Sequence, residues 1–258
     1  MGITVAVVNQ KGGVGKTTSA VNLTAALHAL GLRVLLCDFD PQANATSGLG
    51  IEKRKIKHST YDVVINGVPA ENAVVKTKFG DVLPSSADLA GAGVELISTE
   101  NPNQQLKNAL APLKENYDLI FIDCPPSLEM LTLNALAAAD SILIPVQCEY
   151  YALEGLSDLM ATLRAVKKRI NPKLEIFGVL LTMFDGRTNF SAQVAQEVRR
   201  HFPGKVYATA IPRNIRLAEA PSHGLPVTVY DRASRGSIAY KAVAEEIKTK
   251  LVSNKIEV

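Results

Sequence analysis

Apolar positions fall into two patterns along the chain. Short β-branched runs, apolar nearly throughout, occur at Ile3–Val8, Arg33–Asp38, Leu119–Asp123, Ser141–Val146, Phe177–Thr182 and Val206–Ile211. Unbroken apolar runs of this length fit parallel strands buried on both faces. Between them, stretches of helical period cover Lys16–Leu30, Asn103–Lys114, Leu128–Ala138, Ala152–Ile170 and Ser191–Phe202. A final helix near Ser234–Leu251 puts Ile238, Ala242, Ile247 and Leu251 roughly on one face, with Lys241, Lys248 and Lys250 elsewhere. Gly31 and Pro172 stand where the first and the long helix should stop. Alternating βα units predict an α/β fold, a doubly wound and mostly parallel sheet with helices on both faces. No Pro/Gly/Ser-rich linker interrupts 1–258, so one domain is expected. The charged stretch Ile51–Lys57 reads as a solvated loop.

Composition narrows the class. Of 258 residues, 47% are hydrophobic and 21% charged, which excludes wholesale disorder. The net charge of +3 is too small to announce a nucleic-acid binder. Its distribution is uneven: from Asp185 onward 12 Lys/Arg face 7 Asp/Glu, a net of +5, leaving −2 for the rest. Cys37, Cys124 and Cys148 are widely spaced and suit a reducing cytoplasm and core positions better than a disulfide or zinc framework. The first residues lack the features of a signal peptide, and no apolar run reaches membrane-spanning length.

The candidate chemistry starts where the first strand ends. Lys11-Gly12-Gly13-Val14-Gly15-Lys16-Thr17-Thr18 lies between a strand and a helix. There, backbone N–H groups and the helix N-terminus can surround phosphate oxygens. Lys16 would reach the β- and γ-phosphates and the Thr17 hydroxyl would ligate Mg²⁺. The usual P-loop has glycine where this chain has Gln10, and Lys11 is an added cation, so the loop is a variant. Two further strand ends are acidic: Cys37-Asp38-Phe39-Asp40-Pro41-Gln42 and Ile122-Asp123-Cys124-Pro125-Pro126. Ligands in open α/β sheets bind at the carboxyl ends of strands, so these carboxylates can converge on the phosphates. Asp123 would hold Mg²⁺ through water. One of Asp38 and Asp40 would orient or deprotonate the attacking water, while a helix cap is the ordinary role of a lone aspartate at such a place.

Together, KGGVGKTT, DFDPQANAT, FIDCPPS and IPRNIRLAEAPSHGLPV resemble the ParA/Soj family of partition ATPases. That family lies in the deviant Walker-A group with MinD and the nitrogenase iron protein, and the resemblance runs from Met1 to about Leu251. It implies ATP and Mg²⁺ as cofactors. It also implies an ATP-dependent homodimer in which Lys11 crosses to the partner's phosphates and Gly12 faces the other loop. By the same resemblance Asp40 is the hydrolysis-critical aspartate, with Asp38 beside it, and Asp123–Ser127 is the second switch. The resemblance further implies that Pro212 and Asn214 contact adenine, although Asn214 also suits a turn. It implies that Arg187 and Arg216 bind DNA non-specifically, where Arg199, Arg200, Lys241 and Lys248 would widen that patch or simply form a solvated face. A ParB-type partner would stimulate hydrolysis and drive chromosome or plasmid partition on the nucleoid. The expectation includes no membrane contact and no helix-turn-helix extension before Met1. A MinD-like positioning ATPase would need an apolar amphipathic tail, and Lys248–Val258 carries no aromatic residue. A metabolic NTPase of the same fold is the other alternative.

Overall fold

The structure, a computed structural model, describes residues 2–149 and 152–256, with the backbone alone at 152–154 and 253–256. The chain runs β1 (Ile3–Val7), α1 (Lys16–Ala29), β2 (Val34–Asp38), α2 (Asn44–Gly48), α3 (Thr60–Val64), α4 (Ala70–Ala73), β3 (Val75–Thr77), β4 (Gly80–Leu83), α5 (Leu89–Ile97) and α6 (Gln105–Leu110). It continues with β5 (Leu119–Asp123), α7 (Met130–Ala138), β6 (Ser141–Gln147), α8 (Ala152–Arg169), β7 (Glu175–Thr182), α9 (Asn189–His201), α10 (Arg216–Glu219), α11 (Val227–Tyr230) and α12 (Arg235–Ile256). The strands form one sheet in the order β3-β4-β2-β5-β1-β6-β7, parallel except for the β3–β4 pair.

The apolar runs acquire their meaning from side-chain alternation. Ala6, Leu35, Cys37, Ile120, Ile122, Ile142 and Ile144 point to one face, beneath α3 and α5–α9. Val5, Val7, Val34, Leu36, Leu119, Phe121 and Leu143 point to the other, beneath α1 and α12. Because successive residues alternate faces, a strand covered on both sides must be apolar at every position. Cys37, Cys124 and Cys148 are buried free thiols within the first of these cores.

Several expected elements are redrawn. Val206–Ile211 is not a ladder strand. Tyr207 N–H donates to Val179 O and Ile211 N–H to Leu181 O, so both ends touch β7. Between them the N–H groups of Ala208 and Thr209 donate to the Glu246 carboxylate of α12, at 2.8 and 3.0 Å. A side chain thus captures two successive backbone donors between the points of contact, and no continuous ladder to β7 forms. The expected helix 103–114 is shorter, and a 3₁₀ turn at Ala111–Glu115 follows it. Pro112 has no N–H with which to extend α6. On α12 the buried face is Tyr240, Val243, Ala244, Ile247 and Leu251, whereas Ile238 is 58% exposed and points away. Lys53–Lys55, inside the expected loop, makes one exposed 3₁₀ turn. The β3–β4 hairpin and the short helices α2–α5, α10 and α11 had no counterpart in the sequence reading, since most are too brief to show a period. Among the described residues no helix is long and apolar enough to cross a membrane; the final residues of the tail considered for membrane contact, Glu257 and Val258, lie outside them.

Candidate functional site at the carboxyl ends of the central strands

Strand order brings the acidic ends to the glycine-rich loop. In register, Val7 lies beside Asp123 and Asp123 beside Asp38. The loop that continues β1 therefore starts next to both carboxylates. Gly13 and Gly15 hold left-handed backbone, φ +73° and +92°, which a side chain would strain. Gly15 is the residue from which α1 starts.

Neighbouring strands pin the loop in place. The Asn9 side chain donates to Pro145 O (2.8 Å) and accepts from Lys11 N–H (3.0 Å). Thr182, at the end of β7, donates its hydroxyl to Val14 O at 2.8 Å. Lys16 is only 7% exposed and donates to the Lys11 carbonyl at 3.2 Å. Burial lowers its pKa, with Asp123 and then other nearby acidic groups, Asp40 among them, opposing the shift. Lys11 is more open, and its ammonium lies 3.6 Å from Glu149.

The three carboxylates behave differently. Asp123 is fully buried, and neither of its oxygens completes a hydrogen bond among the described residues. Desolvation drives its pKa well up, the adjacent Asp38 adds to this, and the Thr17 hydroxyl and Lys16 ease it. A buried acid without bonded partners, beside a threonine hydroxyl and a lysine, fits a hydrated divalent cation. Asp38 is equally buried but fully bonded. It accepts from Thr46 N–H and Thr46 Oγ1, both at 2.7 Å, and from Asp40 N–H at 3.3 Å. Burial still pushes it up to about 6, against the pull of the Thr46 bonds. Asp40 accepts Gln42 N–H on one oxygen at 2.9 Å, and its other oxygen has no hydrogen-bond partner among the described residues.

A cleft of about 390 Å³ opens beside Gly15 and Thr18. Pro212 and Asn214 line it, so the proposed adenine pair does sit next to the loop, together with Thr182, Met183 and Tyr240. Asn214 also accepts Arg216 N–H at 2.9 Å, the turn role open to it from the start. Thr182 was legible as a strand end. Tyr240 comes from a helix more than 200 residues away in sequence, and no local signal marks it.

The arginines lie apart from these groups in character. Arg187 is highly exposed and paired with Asp185 at 2.9 Å. Arg216 meets Glu219 at 2.7 Å and Asp231 at 3.3 Å. Of the outlying cations, Lys248 donates to Leu30 O, Lys241 to Arg232 O, and Arg200 stands near Glu197.

Comparison with known proteins places the chain in a family. A family model described as an AAA domain matches residues 2–176. The sporulation initiation inhibitor protein Soj of Bacillus subtilis is 55% identical over 96% of this chain and 98% of its own. The chromosome partitioning protein ParA of Caulobacter vibrioides is 50% identical over 94% of this chain and 92% of its own. Among solved structures, cobyrinic acid a,c-diamide synthase of Mycobacterium smegmatis, with bound ADP and magnesium, superposes with a TM-score of 0.82. It is 39% identical and covers 95% of this chain and 93% of its own. A relative of such identity across nearly the whole length leaves the assignment plain: the chain belongs to the ParA/Soj family of chromosome-partitioning ATPases.

Proposed function

We propose that the chain is an ATP-switched, DNA-binding partition ATPase whose active form is a homodimer. The observation that carries the nucleotide half is Asp123: two buried carboxylate oxygens, beside the glycine-rich loop, with no hydrogen-bond partner among the described residues. The N–H groups of residues 12–18 surround the phosphates, and Lys16 exchanges the Lys11 carbonyl for a phosphate oxygen. Thr17 and, through water, Asp123 would hold Mg²⁺, which would supply neutralisation of phosphate charge. Asp40, with one oxygen unengaged, orients the attacking water and takes its proton. Pro212 and Asn214 bracket the adenine, Asn214 through its amide.

Lys11 acts in trans. A cation delivered by the partner neutralises charge on the transferred phosphoryl group, so dimerisation completes the site. For this, Lys11 must leave Glu149. Arg187 and Arg216 contribute to a non-specific DNA surface that binds phosphates and reads no bases. A ParB-type protein stimulates hydrolysis and so times release. Such coupling requires each ligand to prefer one state of the chain.

The test is binding to non-specific double-stranded DNA with ATP, ADP or no nucleotide over a salt series, using wild type, Lys16→Ala and Arg216→Ala. The expected result is salt-sensitive binding that needs ATP and is weakened in both variants. Binding indifferent to nucleotide, or none at low salt, overturns the DNA role. Turnover that instead requires a small organic substrate would point to the metabolic alternative.

A further inference from the structure

The segment from Asp38 to α2 contains a buried clamp that the proposed phosphate chemistry does not use directly. Thr46, in the first turns of α2, is fully buried. Its N–H and hydroxyl both donate to Asp38 at 2.7 Å, and the same hydroxyl accepts Ser85 N–H at 3.0 Å. Ser85 follows β4 and is also fully buried. Its hydroxyl donates to the backbone carbonyl of Asp40 at 2.8 Å. One threonine and one serine thus tie three chain segments together: the end of β2, α2, and the residues after β4. The aspartate with an unengaged oxygen lies inside the loop they enclose. Residue 43 in that loop is left-handed although it is alanine, φ +51°, so the turn is held by its surroundings and not by local preference.

We propose that Thr46, assisted by Ser85, is a positioning residue for hydrolysis. It fastens Asp38 to α2 and Ser85 fastens the Asp40 backbone to the segment that leaves β4, so that the free Asp40 oxygen keeps a fixed place relative to the phosphates. Asp38 then serves as the anchor of the switch, and Asp40 alone addresses water. Both hydroxyls are spent on partners within the chain, and neither lines the cleft beside Gly15, so their loss should impair the chemical step and spare binding. This inference rests on the reading of Asp40 given above.

The experiment compares Thr46→Val, Thr46→Ser and Ser85→Ala with wild type and Asp40→Ala. Three quantities are measured: kcat for ATP, affinity for a fluorescent ATP analogue, and amide exchange of residues 39–48 without nucleotide. Misplacing a catalytic group by about an ångström can cost up to about a hundredfold in rate, so Thr46→Val should lower kcat by about ten- to a hundredfold. Analogue affinity should stay within about twofold, because the phosphate contacts remain. Amide exchange in 39–48 should quicken, and Thr46→Ser should restore both rate and protection. Ser85→Ala, which keeps its N–H bond to Thr46, should show a smaller loss in the same direction. It carries the test if the valine variant does not fold. Wild-type kcat in both Thr46→Val and Ser85→Ala overturns the inference. So does a loss of kcat matched by an equal loss of affinity, or one that serine fails to rescue. If Asp40→Ala itself hydrolyses ATP normally, the reading of the site fails first; if only the clamp variants do, the inference alone fails.

Discussion

The carboxyl end of the sheet and the arginine-bearing segment 185–216 are both dense in charge, yet they are built on opposite terms. At the sheet end, charge is buried and its demand is unmet. Asp123 has no hydrogen-bonding partner among the described residues, and Lys16 settles for a backbone carbonyl. In the arginine segment, charge is exposed and already answered within the chain, Arg187 by Asp185 and Arg216 by Glu219 and Asp231. Burying an unpartnered carboxylate costs a few kcal/mol or more, so such a group persists where a ligand repays it. An exposed ion pair is worth at most about 1 kcal/mol and by itself marks nothing. The nucleotide site therefore announces itself physically. The proposed DNA surface would instead have to compete with the arginines' own carboxylates.

That contrast can be broken at several points. The largest effect is expected from Asp40→Ala, which removes the oxygen left for water; steady-state hydrolysis should fall by about 10²–10⁴-fold with ATP binding retained. Comparable loss of binding would move Asp40 from chemistry to structure.

The buried end should also show itself in stability. Asp38 titrates near 6 in the folded chain because burial, and then Asp40, disfavour its charge. The unfolded carboxyl titrates near 3.9, so between these values the folded chain holds a proton that the unfolded chain has lost. The stability tied to that proton is present at acid pH and disappears as pH rises through about 6, a contribution of order 1–3 kcal/mol. Thermal melts in chelator without nucleotide should show this decline, and Asp38→Asn should flatten it. Identical pH slopes in the two chains would refute the assignment.

Gly12 sharpens the comparison from the side of the partner. A methyl placed there meets nothing within 4 Å of its own chain, and its φ is not left-handed. Gly12→Val should consequently fold and bind nucleotide normally. If two loops meet at this position, ATP-dependent association should weaken by about tenfold or more, read by sedimentation. Undiminished dimerisation would place Gly12 away from the interface.

The smallest effects belong to the arginines. Arg216→Ala should weaken DNA binding and reduce its salt slope by about one. Glu219→Gln relieves Arg216 of one competing carboxylate and should tighten binding by a few-fold, since exposed pairs are worth about 0.2–1 kcal/mol. If both substitutions leave DNA affinity unchanged, the arginine segment is only a solvated face.

How much of this was legible depended on how far each residue's partners lay along the chain. β1, β2, β5, β6 and β7 were readable because strands covered on both faces leave unbroken apolar runs. The hairpin β3–β4 was not, because three- and four-residue strands at an edge carry no such run. Its omission hid Ser85. The segment 206–211 looked like a strand by composition and is diverted by Glu246, a residue about 40 positions later. Ile238 kept helical spacing with Ala242 but falls off the stripe that the sheet covers, which runs through Tyr240, Val243, Ala244 and Ile247.

Local residue patterns alone carry the chemistry on offer: a glycine-rich loop with two lysines and two threonines, and three aspartates at or just past strand ends. Those assignments need only local rules, the left-handed tolerance of glycine and the burial of parallel strands. How differently the aspartates are bonded depends on the fold. Asp38 and Asp123 occupy paired positions on adjacent strands and are equally buried. One is bonded by Thr46, brought to it by the turn before α2; the other completes no hydrogen bond among the described residues, with Thr17 and Lys16 beside it to ease its charge. Hydrogen-bond partners in a folded core come from whatever the packing places within about 3 Å, and no local pattern of residues encodes that.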